Sequence, residues 1–492
     1  MAAEQRRFNA PVVDCRQVAA GIRLLRRSGA VGSQQQSGTD AMRLSRKAAQ
    51  RAHFALQRFG LGPRPGTIDR IGDDPVAALL AELRTPGIAR LSGPGLPSYE
   101  EAARQSQLSF EAAHQVFRRE VDARIDKQLD VDIGFVERLV MFWSNHFSMS
   151  VNKCEAVRGT LGQLERDVIR RHVLGNFTDM LVGVMTHPAM IAFLDNADSV
   201  GPSTEVAKWW DAGFNENLAR EIMELHTIGS DGGYTEEDVT NLSQILTGWS
   251  YVRWWESDNG WNGGTQQNRG QFIFRDDWHE PGSFKLMGKR YGGKGMEAGL
   301  AVLRDLAAMP QTAENIAFKL VRHFYSDEPD PRMVARVARV FRKTGGNLRA
   351  VATALVRDPD ALEGQLVKIR TPYENAIAQF RAVGRRYDED NHWSFWCTLD
   401  ALKGLPFECP SPEGYADETA AWLAPDAMTI RLDTALLNAW VYAKPDDVSA
   451  TTLARRLFGK ALRKESLRKI AGAPDAWRAY ATLFMIPEFQ RR

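Results

Sequence analysis

The chain has 492 residues, more than one ordinary hydrophobic core absorbs, and its 44% hydrophobic and 25% charged residues are the balance of a folded globular protein, which excludes wholesale disorder. A formal net charge of +2 supplies no overall field for a nucleic acid or an acidic membrane, so no nucleic-acid partner is expected. No run of about 18 apolar residues exists to span a membrane as a helix.

Residues 1–40, rich in Arg and Gln, read as a disordered segment or an upstream extension, because they lack the continuous apolar stretch of a secretory signal. From residue 41 the apolar spacing becomes helical. It predicts helices over 44–59, stopped by Gly60-Leu61-Gly62-Pro63, and over 75–83, followed by a charged helix pair over 99–129. Over 133–147, Phe135, Leu139, Phe142, Trp143 and His146 share one face. Further helices are expected at 155–171, 177–185, 217–227 and 235–247. Residues 249–295 are dense in Gly and Trp, with β-leaning pieces at 271–274 and 284–286, and read as an irregular aromatic-rich loop or small hairpin insertion. Helices resume at 296–308, 312–324, 331–344, 348–356 and 366–383, and a second Pro/Gly/aromatic loop covers 404–425. The expected fold is mainly α: an N-terminal helical part over 41–248, the insertion, and a C-terminal helical part over 296–492.

Scattered cysteines, Cys15, Cys154, Cys397 and Cys409, offer neither a zinc-finger spacing nor a disulfide framework, so a reducing, cytoplasmic setting fits the sequence as it stands. A Cys397–Cys409 bridge is the alternative if the protein is exported.

The richest polar segment is 215–229. At 100° per residue Leu218, Ile222 and Leu225 define the buried stripe, with Glu221 about 60° off its centre. Asn217 and Glu224 fall on the same flank, and His226 lies near the opposite edge. A carboxylate at the edge of a core needs a partner or a raised pKa, which makes Glu221 and Glu224 candidate catalytic residues and equally candidates for structural Arg–Glu pairs. His146 on its apolar face reads as a ligand or as a hydrogen-bonded core histidine. His279-Glu280, in the loop, is the third candidate, while His323 caps or packs its helix.

His146, Glu221, His226 and His279 are the right types to hold a divalent transition metal, with Glu224 as acid/base beside them, although no H-E-x-x-H or C-x-x-C spacing is present. Gly-x-Ser-x-Gly and a phosphate-binding Gly-Lys-Ser/Thr loop are also absent. Trp249, Trp254, Trp255, Trp261 and Trp278 are suited to stacking on sugar rings, or more simply to anchoring the glycine-rich loop.

The sequence resembles the bacterial family called domain of unknown function 1800. The likeness covers about residues 52–432 as one integrated domain. It rests on Arg58-Phe59-Gly60-Leu61-Gly62, Trp143-x-Asn145-His146-Phe147, Asn217-x-x-Arg220-Glu221-x-x-Glu224-Leu225-His226-Thr227, Gly233-Tyr234-Thr235 with Asp238, Leu246-Thr247-Gly248-Trp249, and His279-Glu280. The resemblance implies no established reaction. It does imply a co-encoded, sulfatase-like partner and an envelope location. The chain departs from the family's pattern in showing no export signal and in reading Gly414-Tyr415 where a Gly-Trp pair is usual. The expected function is a metal-dependent hydrolase or oxidase with a His/Glu site. The competing expectation is a non-catalytic binding or assembly factor whose polar cluster fixes its helices.

Overall fold

The computed structural model describes residues 44–492 other than 73, 94, 294, 389–390 and 444–447, so the expected extension over 1–40 and Cys15 lie outside the described residues. Ser45 starts the first helix, α1 (Arg46–Arg58), by accepting the Ala48 amide on its hydroxyl. The helix stops where predicted. A Cβ on Gly60 would stand 2.6 Å from the Ile133 carbonyl oxygen, so only glycine lets the chain pass there. The charged pair is Tyr99–Ser106 and α2 (Phe110–Asp130), with a serine cap on each. In α3 (Phe135–His146) the predicted stripe is the buried one.

Helical phase breaks in the segment after α4 (Asn217–Glu221), where Ile222–His226 is a π-turn. The Thr227 hydroxyl donates to the Ile222 carbonyl at 2.6 Å, and the Gly229 amide reaches back to Met223 at 3.0 Å. A wider turn advances each residue by less than 100°, so Met223 becomes fully buried while Leu225, expected in the stripe, is only half-buried. Next comes α5 (Glu236–Ile245), which begins in a reciprocal Thr235/Asp238 capping box.

The insertion forms two small antiparallel sheets. Strand β1 (Trp249–Tyr251) pairs with β2 (Phe272–Phe274), and β3 (Ser283–Leu286) pairs with β4 (Lys289–Gly292). The second hairpin turns through Met287 and Gly288, both at positive φ (47° and 83°), the backbone twist that matches two paired strands. Asp238 of α5 accepts the Met287 amide at 2.7 Å and fastens the hairpin to the helices.

Beyond it run α6 (Glu297–Ala308), α7 (Pro310–Phe324), α8 (Pro331–Lys343) and α9 (Leu348–Arg357), with α7 packed on α8 and α8 on α9. The helix expected over 366–383 begins only at α10 (Pro372–Val383). Thr371 and Glu374 cap that start reciprocally, and Ile369, upstream, is in an isolated β-bridge with Arg491. The tail loop leads into α11 (Pro425–Tyr442) and the closing helices.

One hydrophobic cluster runs from Leu44 to Tyr442 and takes in both helical parts together with Trp249 and Leu286 of the insertion. A second, smaller cluster gathers residues of α10, α11 and the closing helices. The fold is mainly α with a small β insertion, as expected. No helix among the described residues is long and apolar enough to cross a membrane. Cys397 and Cys409 are not joined by a disulfide, so the alternative bridge between them is not formed.

Candidate functional site

A cavity of about 970 Å³ opens where α3, the π-turn, α7, α8 and the tail loop meet. Its size is that of an organic-ligand site. Asn145, the middle of the Trp-Ser-Asn-His-Phe segment, builds one wall. Its side chain donates to the Tyr415 carbonyl at 2.9 Å and accepts the Tyr415 amide at 2.8 Å, which docks the tail loop on the end of α3. Gly414 has φ of 92°, and a Cβ there would meet the Asn145 carbonyl oxygen at 2.6 Å. The departure to tyrosine at 415 keeps this junction, with the phenol donating to the Leu405 carbonyl at 2.6 Å.

His146 and His226 meet, with ring centroids 5.6 Å apart. A carbonyl oxygen only accepts, so the two bonds between them fix both tautomers. His146 donates from Nε2 to the His226 carbonyl at 3.2 Å, and His226 donates from Nδ1 to the His146 carbonyl at 3.0 Å. Burial, reinforced by the charge of nearby Lys319, pushes both imidazoles down, His226 to about 3. They are neutral clasps between α3 and the π-turn. The Nδ1 of His146 is buried without a hydrogen-bond partner among the described residues.

His279 stands elsewhere. Its Nδ1 donates to the Thr247 carbonyl at 3.1 Å, its ring lies edge-on to Phe274, and it does not line the cavity. Glu280, beside it, is buried and accepts the Ser203 amide at 2.9 Å. The three histidines expected to share one metal ion therefore do not converge, because the loop that carries His279 is pinned to Thr247 instead of folding over the α3 end. Among the described residues no group of three or more His, Cys, Asp or Glu side chains is arranged to hold an ion.

The two glutamates differ. Glu224 lines the cavity and accepts the Tyr234 hydroxyl at 2.7 Å and Arg220 at 3.2 Å. Glu221 is half-buried, outside the lining, and has no hydrogen bond or ion pair among the described residues. Partial burial, with help from the Glu224 charge, raises its pKa.

His323 does more than cap or pack. Its Nδ1 lies 3.0 Å from Asp417, and its Nε2 lies 3.0 Å from an Arg138 nitrogen. Arginine only donates, so Nε2 accepts and the proton sits on Nδ1. Both ring nitrogens are engaged, and burial pushes the imidazole down to about 4. Around it, Arg138 and Arg492 both pair with Glu374, at 3.1 and 2.7 Å, and Arg492 also holds Asp417 at 3.0 Å. Although burial opposes ionisation, these two guanidiniums hold Glu374 down to about 2. The glutamate that caps α10 is thus also the anion at the centre of a buried charge network.

Four cationic side chains line the cavity: Arg124, Lys319, Arg322 and Arg342. Arg124 pairs with Glu165 at 3.4 Å, Arg322 with Glu418 at 2.5 Å and Arg342 with Glu314 at 3.4 Å. Lys319 has no carboxylate partner among the described residues, and its Nζ donates to the Leu225 carbonyl at 2.8 Å. Burial, opposed by the charge of Glu413, pushes this amine down to about 8. Glu413, exposed at the rim, is likewise unpaired among the described residues. Sequence reading missed Lys319. The signal was the polar flank of α7, where Asn315, Lys319, Arg322 and His323 recur at steps of four, three and one.

The tryptophans divide. Trp249 and Trp278 are buried anchors, whereas Trp261 stacks between Trp210 and Trp255 at 5.4 and 5.2 Å, and Trp209 is 83% exposed.

Residues 54–491 match the family described as protein of unknown function (DUF1800), nearly the whole chain. The chain belongs to that family. No curated protein and no solved structure gives a match.

Proposed function

We propose that the cavity between α3, the π-turn, α7 and the tail loop is the ligand site of an enzyme that moves protons on a bound organic molecule. Lys319 supplies the amine of that site and Glu224 and Glu413 its carboxylates. One observation carries the reading: in a cavity whose other cations are neutralised by carboxylates, Lys319 is left without one. An uncompensated, partly desolvated charge costs stability, and such groups concentrate at functional sites. The metal-dependent form of the expectation has no such support, because His279 stands apart from His146 and His226.

Thermal-shift screening of wild type, Lys319→Met and Glu224→Gln against organic acids, amino acids, sugars and carbonyl compounds tests the proposal. A compound that stabilises the wild type and loses its effect in Lys319→Met supports it. Equal shifts in both proteins, or none from any compound, would sink it.

A second reading, a non-catalytic assembly factor, is favoured by one observation: His146, His226 and His323 are bonded to carbonyls, Arg138 and Asp417 in the manner of structural groups. The partner implied by the family resemblance, a sulfatase-like protein, belongs to this reading. Co-elution of the two proteins from a sizing column tests it, and separate elution counts against it.

A further inference from the structure

Lys319 stands on α7 four residues before His323, with its Nζ donating to the Leu225 carbonyl in the π-turn. Its charged surroundings are unsymmetrical. Burial and, less strongly, Arg322 disfavour its positive form, while Glu413 favours it. A lysine that served only as a counter-ion would be paired, as Lys368 is with Asp327 at 2.6 Å. A lysine that served only packing would extend its head to water. Lys319 does neither.

We propose that Lys319 is a covalent ligand site, whose Nζ condenses with the carbonyl carbon of an aldehyde or ketone held in the cavity. The inference rests on the cavity being a ligand site and names the ligand's class. In a neutral amine, one N–H directed to the Leu225 carbonyl leaves the lone pair and the second N–H for the cavity. The lone pair attacks the carbonyl carbon, a C–N bond forms, and the C=O π pair moves to oxygen, which takes a proton. The two protons the oxygen takes are those the nitrogen gives up; the second transfer expels it as water, the C–O bond breaks, and nitrogen's electrons complete the C=N bond. Nothing is oxidised or reduced. Glu413 and Glu224, on the same cavity, relay the protons. The lowered pKa, about 8 against an ordinary 10.5, leaves Lys319 about three hundredfold richer in free amine at neutral pH than an exposed lysine.

The full chain is incubated with glyoxylate or with benzaldehyde, one anionic and one apolar carbonyl, then reduced with borohydride and mapped by peptide mass. The expected adduct is on Lys319, formed at least about tenfold faster than on the exposed lysines Lys208, Lys403 and Lys469. Lys319→Arg, which keeps the charge and the fold but has no condensing amine, abolishes that adduct, and Glu413→Gln slows it. Adducts confined to surface lysines overturn the proposal. A compound that raises the melting temperature of wild type and of Lys319→Arg alike, yet leaves nothing to reduce, also overturns it while keeping the ligand site. If no compound binds and no adduct forms, both readings fall together.

Discussion

The cavity has two kinds of polar wall, and they differ in how completely their groups are satisfied. Around His323 each charged group faces an opposite one: Arg138 and Arg492 on Glu374, Arg492 and His323 on Asp417, and Lys368 on Asp327 and the Asp417 carbonyl. One turn earlier on α7, Lys319 has no ion pair among the described residues, and neither do Glu413 of the tail loop and Glu221 nearby. The satisfied wall resembles a buried salt-bridge network, costly to break and specific in geometry. On the proposed function, a ligand completes the groups of the unsatisfied wall. Substitutions should therefore separate the two, stability on one side and ligand chemistry on the other.

The largest effect is expected from Arg138→Met, which leaves Glu374 and Nε2 of His323 facing a methyl group. It should cost about 3–5 kcal/mol in urea unfolding, and a loss under about 1 kcal/mol would mean the network is not structural. Next comes the histidine clasp. His226→Ala removes a buried donor from the His146 carbonyl and should cost on the order of 2 kcal/mol, with no dependence on added zinc or manganese. Stabilisation of the wild type but not of His226→Ala by either metal would revive the metal site.

A third expectation concerns acid. The native state keeps His53 and His323 neutral down to about 4, and His187 and His226 down to about 3, through burial. The unfolded chain takes up those protons near 6.5 and so binds more of them below that pH. Stability is complete above 6.5 and falls as the pH drops, by up to ~1.4 kcal/mol per pH unit for each such histidine, until the native values are reached. His226→Gln should flatten the slope. An unchanged profile of melting temperature against pH in that variant would show that the clasp is not buried neutral. The smallest stability effect, within about 0.5 kcal/mol, is expected from Glu413→Gln on the exposed rim, the same variant whose covalent trapping should slow. A large destabilisation there would place Glu413 in the structural wall.

Much of this comparison was legible from residues alone, and its gaps have physical causes. Helical periodicity found α3 and its buried His146. The same periodicity misplaced Leu225, since a constant 100° step has no way to register a π-turn. Residue type drew His279 toward His146 and His226, but whether a loop folds over a helix end depends on hydrogen bonds such as that to Thr247, which no spacing encodes. Lys319 escaped notice because a lysine on an amphipathic helix normally means water. Only the assembled structure, in which Arg124, Arg322 and Arg342 each hold a carboxylate, reveals that this lysine has none among the described residues.

The most direct test of the unsatisfied wall is competitive acetylation of the native chain across pH, following the rate at Lys319 by peptide mass. The account predicts a titration midpoint near about 8. A midpoint at the ordinary lysine value of 10.5 would show a solvated amine with no special environment, and would contradict the assignment of the cavity as a site built around it.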